Sequence, residues 1–271
     1  PAGTHGRAYG IALRRLLPRT SLERIAAMVV AGPDRAGALD ILRRFGDEGT
    51  EVLLRLLVAA PTLKERRGYY DALVELRQGE ALLVHMLGHS EWYVVRNVAE
   101  LCGEMGIASA VPELVRQLRH PDDRVRRAVV AALSRIGGAE ALEALQRAIA
   151  DPSPAVRLFA IRSVEGRDAR ALARPLAAQL EREPDPDMVR EILLALGRIG
   201  SPDAIQTLIK ASQPARRLFG RKPVGIRLAA VEGLRLAGGS VAIGTLQALL
   251  ADEEREVSEA AQRALAALPR T

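Results

Sequence analysis

Two histidines and a lone cysteine are the side chains of this sequence that suggest metal chemistry. His85 and His89 stand four residues apart, the spacing of two ligands on one helix face. No third ligand is evident, and Gly88 indicates that the helix is ending there. Cys102 is the only cysteine, which excludes an intramolecular disulfide and a thiolate metal cluster. We therefore predict no metal site.

Nucleophilic catalysis and phosphate binding have no recognisable pattern in the sequence. No Ser/His/Asp or Cys/His arrangement stands out. The glycine pairs Gly137-Gly138 and Gly238-Gly239 occupy corresponding points of a repeat, so they indicate helix ends rather than a phosphate loop. We expect a protein that is not an enzyme and carries no cofactor.

The elements that position these side chains belong to an internal repeat. Apolar anchor residues recur at spacings of 31, 31, 32, 38 and 31 residues. A leucine follows each of the first five anchors after twenty residues, and a glycine follows four of the six after twelve. The anchors are Val94, Val125, Val156, Met188, Ile226 and Val257.

Each repeat is predicted to be a helix–turn–helix. Val125, Val129 and Leu133 follow helical spacing, and Gly137 then ends the first helix. A second helix follows, with Leu145 inward. One such pair cannot bury its apolar stripes alone, whereas stacked neighbours can.

Residues 91–268 resemble the bacterial HEAT-like repeats, the short kind first described in phycobilisome lyases. The resemblance implies an all-α fold, a right-handed α-solenoid of tandem helix pairs whose second helices line the concave face. It indicates little about function, because the family serves many purposes. The residues that carry it are Val125-Arg126-Arg127-Ala128 with Leu133 to Gly137, Val156-Arg157 with Val164, and Ile226 to Ala230 with Leu234 to Gly238.

Three regions are predicted along the chain. Residues 1–90 form irregular helical pairs continuous with the solenoid, residues 91–251 hold the regular repeats, and residues 252–271 form a C-terminal capping helix. We expect three further helix pairs in the irregular region. Its apolar stripes lie at Leu22, Ile25, Met28 and Val29; Ala38, Ile41, Leu42 and Phe45; Val52, Leu53, Leu56 and Leu57; and Tyr70, Leu73, Val74 and Leu76, with breaks at Gly32-Pro33, Gly46 to Gly49, Pro61 and Gly79.

Composition agrees with thin helical layers. Hydrophobic residues make up 48% of the chain but aromatic residues only 3%, so the core consists of small and medium aliphatic side chains. No apolar run approaches the ~18 residues that span a bilayer, and the N-terminus lacks a signal pattern. We expect a cytoplasmic protein. The formal net charge is +6, with the excess mainly in residues 1–31 and 184–222, which favours an acidic partner.

Arginines that follow the anchors are expected to stack at one level along the repeats. They could form a basic ladder for phosphates, but we favour a structural role, in which they pair with aspartates or backbone carbonyls of adjoining repeats. These residues are Arg96, Arg126, Arg157, Arg190 and Arg227.

Outward positions of the second helices are the candidate binding residues, because solenoids usually bind on the concave face. Arg116, Arg147 and Lys210 share one column, which Ala178 and Ala248 interrupt, and Arg170 and Arg174 are further outward positions. The 38-residue spacing also contains an insertion near residues 212–223, whose cations flank an apolar pair. The candidates in this insertion are Arg216, Arg217, Phe219, Arg221 and Lys222.

Trp92 and Tyr93 form an aromatic pair near a helix start. Stacking on a base or chromophore is one interpretation, and packing over the junction between irregular and regular repeats is the one we favour. Taken together, the sequence predicts a non-catalytic scaffold that binds another protein, with an acidic surface, through its concave face. Nucleic-acid binding, or a lyase- or glycosylase-like activity on the same fold, remains the alternative.

Overall fold

A computed structural model of the chain describes residues 18–164, 167–214 and 223–268. Within these ranges the regular structure is entirely helical, with sixteen α-helices and three short 3-10 turns. None of the described helices is long and apolar enough to cross a membrane. The chain divides into two compact units, residues 1–136 and residues 137–271.

The first unit contains eight of these helices. Helices α6 and α8 pack against each other, as do α3 and α4. The eight are α1 (Arg19–Ala31), α2 (Arg35–Phe45), α3 (Asp47–Ala59), α4 (Leu63–Leu76), α5 (Glu80–Met86), α6 (Trp92–Met105), α7 (Val111–Gln117) and α8 (Asp123–Ile136).

The second unit contains the other eight. First helices of the repeats contact first helices of the next repeat, as α12 contacts α14 and α14 contacts α16, and the second helices form the other layer. The eight are α9 (Ala139–Ala148), α10 (Pro154–Arg162), α11 (Ala173–Leu180), α12 (Pro186–Ile199), α13 (Pro202–Ser212), α14 (Val224–Ala237), α15 (Gly239–Ala248) and α16 (Arg255–Ala266).

The repeat columns found in the sequence have the predicted structural roles. The four glycines that follow the anchors by twelve residues all have positive φ, between 58° and 73°, and each ends a first helix. Glycine adopts a positive φ at little energetic cost because it has no Cβ, which explains its use at these helix ends. The leucine column is buried in every repeat, as are five of the six anchors. The exception among the anchors is Ile226, which is half-buried in the first turn of α14.

The irregular region differs in detail from its prediction. Residues 18–90 contain five helices, α1 to α5. The three helix pairs predicted for residues 1–90 also involve residues 1–17, which lie outside the described ranges. The second break is Gly46 alone, and Gly49 lies inside α3, where its missing side chain lets the helix approach the carbonyl of Leu42. Met28 and Ile41 are exposed, so the core stripes of α1 and α2 are narrower than predicted.

Two glycines bring α12 and α14 unusually close. A Cβ added at Gly197 would lie 2.5 Å from the carbonyl oxygen of Gly233 and 2.8 Å from its Cα. Neither backbone atom can move without shifting a whole helix, so the contact requires glycine.

We expect Gly197→Ala to lower the free energy of unfolding by about 1–3 kcal/mol through this overpacking. Gly244→Ala is the matched control, since Gly244 also lies inside a helix but has nothing within 4 Å of the added Cβ. There the same substitution should stabilise by about 0.5–1 kcal/mol, because alanine has the higher helix propensity. Urea titration of both variants checks the pair, and equal effects of the two would contradict the close helix contact.

Candidate binding surface

The loops that begin the regular repeats share a side-chain cap. A residue five positions before the anchor accepts a hydrogen bond from the backbone N–H two residues later, which fixes the entry into the first helix. Two of these acceptors are histidines, whose Nδ1 atoms serve as caps. The donor–acceptor pairs are Glu91 N–His89 Nδ1 at 3.0 Å, Asp122 N–His120 Nδ1 at 3.0 Å, Ser153 N–Asp151 Oδ1 at 2.8 Å and Glu254 N–Asp252 Oδ1 at 3.0 Å.

Such a cap accounts for His89, one of the two histidines whose spacing suggested a pair of metal ligands. Helix α5 ends at Met86, so His85 is helical while His89 lies in the capping loop beyond it. The described residues hold no group of three histidine, cysteine or carboxylate side chains placed to bind a metal. Burial, with a smaller contribution from the charge of Glu80, raises the pKa of the Cys102 thiol to about 12, so this thiol remains protonated at neutral pH.

Three of the anchor arginines are fixed by backbone carbonyls, which confirms the structural interpretation for them. Arg126 Nη1 donates to the carbonyls of His120 at 2.8 Å and Pro121 at 3.1 Å. Arg157 Nη1 donates to Asp151 O at 3.0 Å, and Arg227 Nε donates to Ser212 O at 2.7 Å. Each arginine thereby ties its first helix to the chain that precedes it.

Two of these arginines also hold buried carboxylates. Arg157 makes two hydrogen bonds of 3.1 Å to Glu183, whose side chain is only 1% exposed. Arg227 is ion-paired with Asp252, and their side chains are 3% and 9% exposed. Burial alone would raise the pKa of both carboxyls, but hydrogen bonds and the arginine charges outweigh it and lower both pKa values. These arginines are therefore occupied inside the fold and are not available to phosphates.

The prediction that the arginines following the anchors stack at one level is wrong for Arg96 and Arg190. Each follows its anchor by two residues instead of one, a rotation of about 100° around the helix. Arg96 is partly exposed and lies 3.5 Å from Glu100, and Arg190 is exposed on α12.

The predicted second-helix cations within the described ranges all lie at the surface. Arg116 belongs to the first unit and is paired with Glu113. In the second unit, Arg147 Nη2 lies 3.0 Å from Glu143, and Arg174 Nε lies 2.9 Å from Asp203. Lys210 is exposed on α13, and Arg170 is exposed in the 3-10 turn that precedes α11, not on α11 itself. The insertion candidates Arg216, Arg217, Phe219, Arg221 and Lys222 lie outside the described residues.

The exposed second-helix positions of α9, α11 and α13 are called the second-helix face. Arg147 is paired with Glu143 and Arg174 with Asp203, so the face presents mixed charge instead of a positive stripe. The sequence did not predict the pair of Arg174 and Asp203, because the two residues lie on different helices. Exposed ion pairs contribute only about 0–1 kcal/mol each, so a partner can exchange them at little cost.

One face of the Trp92 ring, in the aromatic pair, is covered by an arginine side chain. The guanidinium of Arg124 lies 3.5 Å from the centroid of the Trp92 ring, and Trp92 meets Tyr93 edge-on with the ring centroids 5.9 Å apart. Arg124 is itself held by Asp122, with an Nη2–Oδ2 distance of 2.6 Å. A base or chromophore that stacks on this face of Trp92 would first have to displace Arg124.

The helical repeat is shared with known proteins. Residues 79–152 and 144–218 match the family model of HEAT repeats, and together they span slightly more than half of the chain. The chain belongs to the HEAT repeat family. This match confirms the predicted resemblance to HEAT-like repeats and the all-α fold of tandem helix pairs in this HEAT-repeat protein.

Solved structures similar to the HEAT-repeat chain include an engineered protein, with 22% identity over 92% of this chain and 73% of the other, and a TM-score of 0.49. Human deoxyhypusine hydroxylase is similar at 20% identity over 92% and 96% of the two chains, with a TM-score of 0.37. The complex of CpcE and CpcF of phycocyanin lyase from Nostoc is similar at 18% identity over 93% and 95%, with a TM-score of 0.38. No curated protein matches the chain.

Proposed function

We propose that this HEAT-repeat chain is a non-catalytic scaffold that binds another protein through its second-helix face. In this proposal the second-helix face is the concave side of the solenoid, as the resemblance to HEAT-like repeats implies. The proposal rests on one contrast between two sets of arginines. The side chains of the anchor arginines Arg157 and Arg227 are only 14% and 3% exposed in structural pairs, whereas those of Arg147 and Arg174 are 57% and 87% exposed in pairs that a partner can replace.

Mixed charge favours a protein partner over nucleic acid. Glu143 and Asp203 lie beside the cations of this face, where they would repel a phosphate backbone. A protein surface can instead place a carboxylate against each arginine and a cation against each acid. Such complementarity sets specificity and association rate more than affinity.

Charge reversal tests the proposal. We expect Arg147→Glu combined with Arg174→Glu to reduce recovery of the native partner at least tenfold, because the reversed face repels the partner's carboxylates. The measurement is quantitative affinity purification from cells of the source organism, followed by a binding titration with the recovered protein. Binding of the unchanged chain should weaken as salt is raised, because exposed charges are screened within about 8–10 Å.

The matched control is Arg255→Glu, since Arg255 is 91% exposed on a first helix and is also ion-paired. It should leave partner recovery unchanged. Undiminished capture by the doubly reversed chain would refute the proposal. For a nucleic-acid ligand, the logarithm of the affinity would instead fall linearly with the logarithm of the salt concentration, with little selectivity between sequences.

A further inference from the structure

A groove lies between the first helices α14 and α16, on the layer opposite the second-helix face. Its volume is about 370 Å³. The groove exists because α16 and the residue that follows it contribute only alanines to the apolar lining, at Ala260, Ala264 and Ala267. Side chains this small cannot fill the space beside Leu228 and Val231 of α14.

The apolar lining is only partly covered. Val231 and Ala264 are buried, whereas Leu228 and Ala260 are half-buried and Ala267 is exposed. A volume of this size is at the lower end of known ligand pockets. It accommodates one or two aliphatic side chains better than a large cofactor.

The polar lining consists of Glu232, Arg235 and Arg263. Arg235 makes two hydrogen bonds to Glu232, with Nε–Oε2 and Nη2–Oε1 distances of 2.9 and 2.6 Å. This hydrogen bonding by Arg235 is the main cause that lowers the pKa of Glu232, and the charge of Arg190 lowers it further. The carboxylate of Glu232 is thus already neutralised.

Arg263 has no such partner. Its side chain is exposed and makes no ion pair or hydrogen bond with any residue in the described part of the chain. The groove therefore combines an apolar lining with one uncompensated positive charge. Arg190, also exposed and without an ion pair among the described residues, adds positive potential nearby.

We propose that this groove binds an acidic linear segment of a partner protein, with an aliphatic side chain in the groove and a carboxylate on Arg263. The aliphatic side chain would cover Leu228 and Val231 and gain hydrophobic free energy as water leaves them. The carboxylate would gain the charge-assisted bidentate geometry that arginine offers. A phosphate backbone would meet one net charge and an apolar lining, which suits it poorly.

This inference does not depend on the second-helix face, since it uses other helices and other residues. The probes are the N-acetylated, C-amidated peptide Ser-Asp-Leu-Leu-Asp-Ser and its neutral analogue with asparagine in place of both aspartates. Each is titrated into the full chain while backbone amide shifts are followed by NMR. We expect saturable shifts confined to α14 and α16, with a Kd on the order of 1 mM or tighter, and at least tenfold weaker binding of the neutral analogue.

Two variants locate the binding. Arg263→Glu should weaken binding of the acidic peptide at least tenfold. It should not affect the fold, because the side chain is at the surface. Ala260→Leu should fill the groove and abolish the shifts, and an unchanged thermal transition shows that it still folds. Arg147→Glu, on the second-helix face, should leave peptide binding unchanged. Absence of saturation at several millimolar, equal binding of the neutral analogue, or undiminished binding by Arg263→Glu would each overturn the proposal.

Discussion

Replacing Arg227 with methionine should lower the free energy of unfolding by about 3–5 kcal/mol, the range for breaking one side of a buried ion pair. The side chain is 3% exposed and bridges two repeats, since it donates to Ser212 O at the end of α13 and pairs with Asp252 ahead of α16. Methionine keeps most of the volume but leaves the carboxylate of Asp252 buried without its cation. The cost is mainly that of the unpaired charge, not of the lost attraction.

The pH dependence of this variant identifies the cause. In the unchanged protein the pKa of Asp252 is lowered, so its stabilising contribution is present above the ordinary aspartate range and is lost as pH falls through the lowered pKa. In Arg227→Met the carboxyl keeps its burial but loses its cation, so its pKa rises. The difference in unfolding free energy between the two proteins should therefore shrink as the pH is lowered into the acidic range. Urea titrations at several pH values measure it.

Two further variants serve as controls. Arg255→Met removes an exposed cation paired with Glu259 and should change stability little, because water screens that pair. Adding Asp252→Asn to Arg227→Met removes the unpaired charge and should recover a large part of the loss. A loss for Arg227→Met that is independent of pH and unrelieved by Asp252→Asn would mean that packing, not charge, accounts for the effect.

The sequence predicts the parts of the fold that depend on local chemistry. The positive φ of Gly137 and the burial of Leu145 both follow from a helix that must end and a stripe that must face its neighbours. These requirements recur in each repeat, so they appear as columns. The exposure of Arg147 and Arg174 is predictable for the same reason, since they lie outside the apolar stripe.

The features that sequence reasoning missed depend on which residues meet across helices. Arg96 and Arg190 lie close to their anchors, as the other arginines of the series do. An offset of one residue nevertheless rotates each away from carbonyls like those that hold Arg157. The histidine caps have the spacing of the repeat, a signal that could have identified them beside the aspartate at Asp151. The groove beside Arg263 arises from alanine size on one helix relative to its neighbour, which periodicity does not report.

Truncating Leu208 to alanine should lower the free energy of unfolding by about 2–5 kcal/mol, the range for a fully buried leucine. Leu208 belongs to the leucine column and has no exposed surface. Its side chain lies over Gly233, since a Cβ added at that glycine would be 2.5 Å from Leu208 Cδ2. Glycine has no side chain that could move into the vacated space, so a cavity should persist, and we expect a cost in the upper half of the range.

Leu250→Ala provides the matched control, because Leu250 lies in the same unit and is 44% exposed. The same chemical change there should cost less than about 0.5 kcal/mol. Gly233→Ala added to Leu208→Ala tests whether the vacated space can be refilled. The truncation removes the close contact between the added Cβ and Leu208 Cδ2, but the added Cβ still lies 2.8 Å from Leu193 O. The double variant should therefore remain less stable than Leu208→Ala. A cost below about 1 kcal/mol for Leu208→Ala would mean that the leucine column does not form the core of the repeats.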